Sequence, residues 1–297
     1  MVKIIFFKVE KEITVSSVLT RLVNIDHLDI ADDELAEIGM ILEMRRNFSM
    51  SAYKDKYMKR RVAIRMRSSR CGDAAAYCNL LRQSELELDL LQKALTIHVS
   101  QFFRNPSMFE KLKDEILPAL YRNCSESREA LRIWSLGCAA GEEAYSLAIL
   151  LRENFADDLI QTTTTIDATD IDEDTLRAAR KAEFNDDRLK DLPPKLRERY
   201  FIPSGSHMQL TGVIREMVNF YHDDITAVEK FLPSNLVLCR NTLIYFTRPD
   251  QEKILHGLAD NLPAGGILVL GKSETLVGEV RRRFKAVCPI ERIYRRV

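Results

Sequence analysis

Between Asp32 and Leu95 apolar residues recur every three or four positions. Leu35, Ile38, Ile41 and Leu42 form a first stripe, Tyr53, Tyr57, Met58, Val62 and Met66 a second, and Leu88, Leu91 and Leu95 a third. That period gathers each set on one side of a helix. Asp32 stands where an N-cap would open the first helix, and Ser84 followed by Glu87 has the spacing of a capping box. After Leu131 the texture changes. Short apolar runs, Leu131–Leu136, Thr164–Thr169, Leu236–Cys239 and Ile267–Leu270, alternate with amphipathic stretches that begin near Glu142, Asp172 and Pro249. Strands alternating with helices predict a parallel sheet covered on both faces. Residues 184–216 interrupt this rhythm with Pro193-Pro194, Pro203, Gly205 and Gly212, and read as an inserted subdomain with turns and two or three short strands.

The pattern divides the chain into an N-terminal extension (1–36), an all-helical domain (37–95), a linker with a first helix (96–130) and an α/β sheet domain (131–297) carrying the insertion. A length of 297 residues and an apolar fraction of 46% suit a protein with a sizeable core. No apolar run approaches the ~18 residues of a membrane span, and the stretch Met1–Phe7 lacks the features of a secretory signal. Membrane insertion is therefore not expected. The six cysteines are scattered without a CxxC pair, so a disulfide framework and a zinc site are both disfavoured, no metal is expected, and a reducing cytoplasm fits best.

Charge alters the picture locally. The 44 basic and 44 acidic residues cancel, which argues against a surface built for nucleic acid. Residues 45–70, however, hold ten Lys or Arg and only Asp55 as an acid, a net +9 that the rest of the chain offsets. Lys56, Lys59, Arg60 and Arg67 share one side of the second helix, so an acidic partner is expected there. A merely solvated face is the alternative.

The candidate chemistry lies at strand ends. The first strand runs into Gly137-Cys138-Ala139-Ala140-Gly141-Glu142-Glu143, where glycine lets a ligand approach the backbone just before a helix. The spacing is neither GxGxxG nor a phosphate loop, and two carboxylates at the helix start would repel phosphate while favouring the helix dipole. The second strand ends in Thr169-Asp170-Ile171-Asp172. An acid at that point holds ribose hydroxyls in nucleotide-binding sheets, with Asp172 the better N-cap. Together the two loops suit an adenosyl ligand without phosphates, of which S-adenosylmethionine is the common example.

At this point four segments in order carry a resemblance to the chemotaxis receptor methyltransferases, the CheR-type protein-glutamate O-methyltransferases. They are Leu95–Arg104, Gly141-Glu142-Glu143-Ala144-Tyr145-Ser146, Thr169-Asp170-Ile171-Asp172 and Leu238-Cys239-Arg240-Asn241-Thr242-Leu243-Ile244-Tyr245-Phe246. The resemblance covers roughly residues 40–297. It implies a Rossmann-like S-adenosylmethionine-dependent methyltransferase domain, an all-helical N-terminal domain and a small β subdomain insertion. It further implies that His98, Ser100 and Arg104 line the cofactor site from the linker, that one of Glu142 and Glu143 contacts the cofactor, and that Asp170 holds its ribose. Asp224-Ile225 would flank the adenine, Arg240-Asn241 the methionyl part, and Tyr245, with Arg104, would face the reacting methyl group. His98, Ala144 and Asp224 depart from the family's usual Asn, Pro and Asn. Phe102 and Phe103 read as core, and Cys239 as a buried strand residue. The implied reaction is methylation of chemoreceptor glutamates in signalling adaptation, with S-adenosylhomocysteine as product. The implied partner is the acidic helical cytoplasmic region of those receptors, met by a monomeric, cytoplasmic enzyme. In the family the insertion docks a receptor pentapeptide when its loop is glycine-rich; Tyr200–His207 holds one glycine, so a pentapeptide-independent enzyme is expected. The alternatives are a cofactor-sensing signalling module without turnover, and a methyltransferase of this fold with another protein or small-molecule substrate.

Overall fold

The computed structural model describes residues 30–96, 100–190 and 192–297. Most of the N-terminal extension, and His98, lie outside the described residues. The chain forms two units. One contains residues up to Ser51 together with Asp55–Leu95; the other contains Ala52–Lys54 and Thr96–Val297.

The helical unit contains α1 (Asp32–Arg46), α2 (Asp55–Ser68), α3 (Ala74–Gln83) and α4 (Glu85–Leu95). Its stripes meet as the periodicity predicts: Leu35, Ile38 and Leu42 of α1, Met58, Val62 and Met66 of α2, Tyr77 and Leu81 of α3, and Leu88, Leu91 and Leu95 of α4 are all buried. Each such side chain contributes about 1.5–3 kcal/mol on leaving water. Two cap expectations change. Ala31 is the N-cap of α1, with Glu34 accepting its N–H at 2.9 Å, while Asp32 is the first helical residue and pairs instead with Lys59. Ser84 accepts the N–H of Glu87 at 3.1 Å, but the Glu87 carboxylate is drawn inward to Arg65 and Tyr77 and does not reach back to close a capping box.

The second unit is built on a seven-stranded sheet. In chain order its strands are β1 (Leu131–Leu136), β2 (Thr164–Asp170), β6 (Val218–His222), β7 (Leu236–Cys239), β8 (Ile267–Leu270), β9 (Phe284–Cys288) and β10 (Ile293–Arg296), and their spatial order is β6-β2-β1-β7-β8-β10-β9. The first five in that order run parallel and β10 returns antiparallel between β8 and β9, so the sheet is mixed, not wholly parallel. The helices include α5 (Pro106–Lys111), α6 (Leu117–Ser127), α7 (Glu142–Asn154), α8 (Ala156–Gln161), α9 (Glu173–Lys181) and, between β7 and β8, α13 (Arg248–Asn261). The chain winds outward from β1 through β2 to β6, then crosses back to β7. The strand order therefore reverses between β1 and β7, where ligands bind in open α/β sheets. Leu136 of β1 registers with both Thr169 of β2 and Cys239 of β7, so the three following loops leave the sheet at one level.

The insertion forms a separate three-stranded antiparallel sheet, β3 (Glu183–Phe184), β5 (His207–Leu210) and β4 (Phe201–Ser204), with the short helices α10 (Asp186–Leu189) and α11 (Pro194–Tyr200). The turn α12 (Gly212–Arg215) leads back to β6. Phe102 from the linker packs edge-on against Phe184 and Phe201 with centroids 4.9 and 5.5 Å away, so it is core, as its apolar character suggested.

Candidate active site

The loop after β1 is stitched to the end of β2. Gly137 and Cys138 both donate N–H groups to the Thr169 carbonyl at 2.9 Å, and Ala139 donates to Asp170 Oδ2 at 2.8 Å. The second carboxylate oxygen of Asp170 accepts the N–H of Asp172 at 3.1 Å, and Asp172 caps α9 through Thr175. The two glycines are required here. Gly137 has φ +73° and a Cβ would lie 2.5 Å from Thr242 Oγ1; Gly141 has φ +88° and a Cβ would lie 3.0 Å from the Phe220 ring. Phe103, Asn105, Ala139 and Asn241 also adopt positive φ, so non-glycine left-handed residues cluster on the loops that face this crevice. Such conformations persist only where surrounding contacts enforce them.

The enforcing contacts form a buried relay. Ser135 of β1 donates to Glu143 Oε1 at 2.8 Å, and Arg240, after β7, donates to Glu143 Oε2 at 2.8 Å. The other guanidinium nitrogen of Arg240 donates to the Arg104 carbonyl at 2.9 Å and to Asn105 Oδ1 at 2.7 Å. The Arg240 side chain is only 3% exposed, which is tolerable for a guanidinium because its charge is met by a carboxylate. Phe103 donates its N–H to Ser146 Oγ at 2.9 Å. The linker that carries Ser100 and Arg104 is thus pinned to α7 on one side of Arg104 and to the segment after β7 on the other.

Glu142 and Glu143, adjacent in sequence, occupy different environments. The Glu143 side chain is 14% exposed, whereas that of Glu142 is 0% exposed and pairs with Arg188 of α10. Glu143 is therefore the more open member of the pair. Asp224 and Ile225 follow β6, whose end is tied in by the N–H of Asp223 donating to the Asp170 carbonyl at 3.1 Å. Asp224 Oδ1 accepts the N–H of Thr226 and Ile225 is buried. Tyr245 is half-buried in the turn that follows Arg240-Asn241, and its carbonyl accepts the N–H of Lys54 at 2.9 Å.

The periodicity gave no hint of Glu274. Its carboxylate accepts four backbone N–H groups, from Asn241, Thr242, Leu243 and Gly271, at 2.6–2.9 Å. Burial pushes its carboxyl above the ordinary range while the four N–H groups pull it down. These donors bond an acceptor and fix the loop that presents Arg240, Asn241 and Tyr245. The cysteines beside the crevice, Cys138 and Cys239, are buried, and burial holds both thiols well above their ordinary range, so neither is a nucleophile at neutral pH.

In the helical unit half of the basic window's ten residues are engaged internally. Arg45 pairs with Glu85, and Arg46 with Asp89 at 2.8 Å. Arg65 pairs with the buried Glu87 at 2.7 Å, Lys59 with Asp32 at 2.6 Å, and Arg61 lies over the Tyr57 ring. Lys56, Arg60 and Arg67 remain exposed along α2.

A glycine loop after β1, an acid ending β2 and the sheet's switch point suit a nucleoside-bearing ligand. Residues 98–291 match the family described as CheR methyltransferase, SAM binding domain, and residues 33–96 match the CheR methyltransferase all-alpha domain. The chain belongs to the CheR methyltransferase family, and its cofactor is S-adenosylmethionine. It is 31% identical over 231 residues to a chemotaxis protein methyltransferase of Listeria innocua, covering 77% of this chain and 84% of that one. It is 32% identical over 230 residues to chemotaxis protein methyltransferase 2 of Vibrio cholerae, covering 75% and 77%. An uncharacterised 104.1 kDa protein of Rhodobacter capsulatus is 32% identical over 262 residues; that match covers 88% of this chain but 27% of the larger protein. No helix among the described residues is long and apolar enough to cross a membrane.

Proposed function

We propose that this chain transfers methyl groups to glutamate side chains of chemoreceptors, giving glutamyl methyl esters in signalling adaptation, and that it does so in the cytoplasm. The observation that carries the reading is the buried relay Ser135–Glu143–Arg240–Asn105, which fixes the backbone of Arg104 beside the crevice. A cation on a fixed backbone suits the orientation of an anionic acceptor. S-adenosylmethionine supplies an electrophilic methyl group on a sulfonium. The acceptor carboxylate is already anionic at neutral pH and needs no strong base. The residues' task is positioning, in a site that excludes water. In this reading Asp170 holds the ribose, Asp224-Ile225 flank the adenine, and Ser100, Glu143, Arg240 and Asn241 bind the methionyl part. Arg104 and Tyr245 face the reacting methyl group.

The exposed Lys56, Arg60 and Arg67 meet the acidic helical region of the receptor, while the charge of Lys59 is partly offset by Asp32. The hairpin between β4 and β5 turns at Gly205-Ser206, too short for a glycine-rich tether, so receptor tails are not required.

Incubating receptor-containing membranes with methyl-labelled cofactor tests the reading. Label on receptor that base releases as methanol is the expected result. Base-stable label would point to a nitrogen acceptor, and cofactor binding without any labelled protein would point to a sensing module.

A further inference from the structure

Arg188 belongs to the insertion and lies outside the four motif segments quoted above. Its Nη1 donates to Glu142 Oε1 and, at 3.4 Å, to the carbonyl of Ser100. One guanidinium from α10 therefore holds both the first residue of α7 and the linker that leads to Arg104. The Glu142 carboxylate is fully buried, and its other oxygen, Oε2, has no hydrogen-bond partner among the described residues. A buried carboxylate without a counter-charge is strongly disfavoured. For Glu142, Arg188 is the cation that meets this need, and it comes from the insertion, not from the sheet. The same first turn of α7 carries Glu143 and also holds the linker through Ser146, whose hydroxyl donates to the Glu142 carbonyl at 2.6 Å and accepts from Phe103.

Building on the cofactor assignment above, we infer that Arg188 is a positioning residue for the cofactor's amino-acid end, acting through Glu142 and Ser100. It holds in register the two elements, linker and α7 start, that supply Arg104 and Glu143. Asp170 and Asp224-Ile225 stand on β2 and after β6, and the Arg188 guanidinium bonds instead to Glu142 and Ser100. The adenosyl half of the ligand should therefore be indifferent to it.

Calorimetry with two ligands tests this on the full chain. S-adenosylhomocysteine has the amino-acid part; 5′-methylthioadenosine keeps only the adenosyl thioether. Arg188→Ala should weaken S-adenosylhomocysteine about tenfold or more and leave methylthioadenosine within twofold. Arg188→Lys, which restores a point charge but not the fork, should recover part of the loss. Because Arg188→Ala leaves a buried charge that can unfold the protein, Arg188→Ala/Glu142→Gln is measured beside it. The double variant should bind S-adenosylhomocysteine better than the product of the two single losses predicts. Equal weakening of both ligands would mark general damage and overturn the inference, as would additive losses or an unchanged S-adenosylhomocysteine affinity. Failure of the unaltered protein to bind either ligand would instead overturn the assignment of the cofactor residues.

Discussion

The two units use the same charged residue types for opposite ends. In the helical unit the face of α2 keeps Lys56, Arg60 and Arg67 in water, where their charges act at a distance. In the sheet unit Arg240 and Glu143 are withdrawn from water, and their charges act only on the atoms they touch. Burial, not residue type, separates recognition from architecture. The helical unit contains a small version of the second case, since Arg65, Glu87 and Tyr77 form a largely buried cluster inside it. Substitutions inside either buried cluster should therefore cost stability, and substitutions on the exposed face should cost rate.

The largest effect is expected at Glu274. Glu274→Gln keeps the shape but removes the charge and sets an amide N–H₂ against backbone donors. Hydrogen bonds to charged groups are worth about 1.5–3 kcal/mol, and stranded buried donors add to that, so a loss of about 3 kcal/mol in urea unfolding is expected. A variant as stable as the parent would show that the four N–H contacts do not hold this loop. Next, Arg65→Ala should cost about 2 kcal/mol, less than a fully buried pair because Arg65 keeps some contact with water. Asp170→Ala should weaken S-adenosylmethionine roughly ten- to hundredfold, about 1.5–3 kcal/mol, without unfolding the chain. Unchanged affinity by calorimetry would remove Asp170 from the cofactor site.

The exposed face sharpens the contrast. Arg60→Glu/Arg67→Glu should leave stability within about 0.5 kcal/mol and leave cofactor affinity unchanged. Methylation of intact receptor should slow roughly tenfold at low salt, with the difference fading as the Debye length shrinks. Identical rates across a salt series would reject docking through this face. The smallest effect is expected at Asp32. A hydrogen bond from Lys59 and its charge hold the Asp32 carboxyl below its ordinary range. Its contribution is therefore present above the usual carboxylate range and lost as pH falls through the depressed value. Asp32→Asn removes the carboxylate charge beside Lys59 and should speed receptor association by about twofold or less at neutral pH, an advantage that narrows as acid protonates Asp32 in the parent.

How much of this was readable in the sequence follows from how local each signal is. The runs Leu131–Leu136, Leu236–Cys239 and Ile267–Leu270 are strands with those bounds; the last two are apolar and buried throughout, as central strands covered on both faces are, and in the first Arg132 alone is exposed. β6, β9 and β10 escaped, since Asn219, Lys285 and Arg295 break their apolar pattern. Gly137, Gly141 and Asp170 announced a crevice because backbone geometry restricts which residues stand there. Glu142 and Glu143 were not separable, since neighbours on a helix differ only in the direction they point, about 100° apart. Arg188, on the four-residue α10, and Glu274, in the loop after β8, reach their partners through space from segments too short to have a period of their own, and nothing local distinguishes them from other polar residues.

The depth at which Cys138 and Cys239 lie gives the molecule an internal clock. A thiol reagent reaches these sulfurs only when the strand ends beside the crevice part from their neighbours, whereas Cys71 and Cys288, which are partly open to solvent, meet it directly. Modification of the deep pair would thus count openings of the β1 and β7 ends, one irreversible mark for each event that outlasts the reagent's encounter time. Ligand that bridges those ends would lengthen the interval between marks, and the interval itself would time the breathing of the crevice.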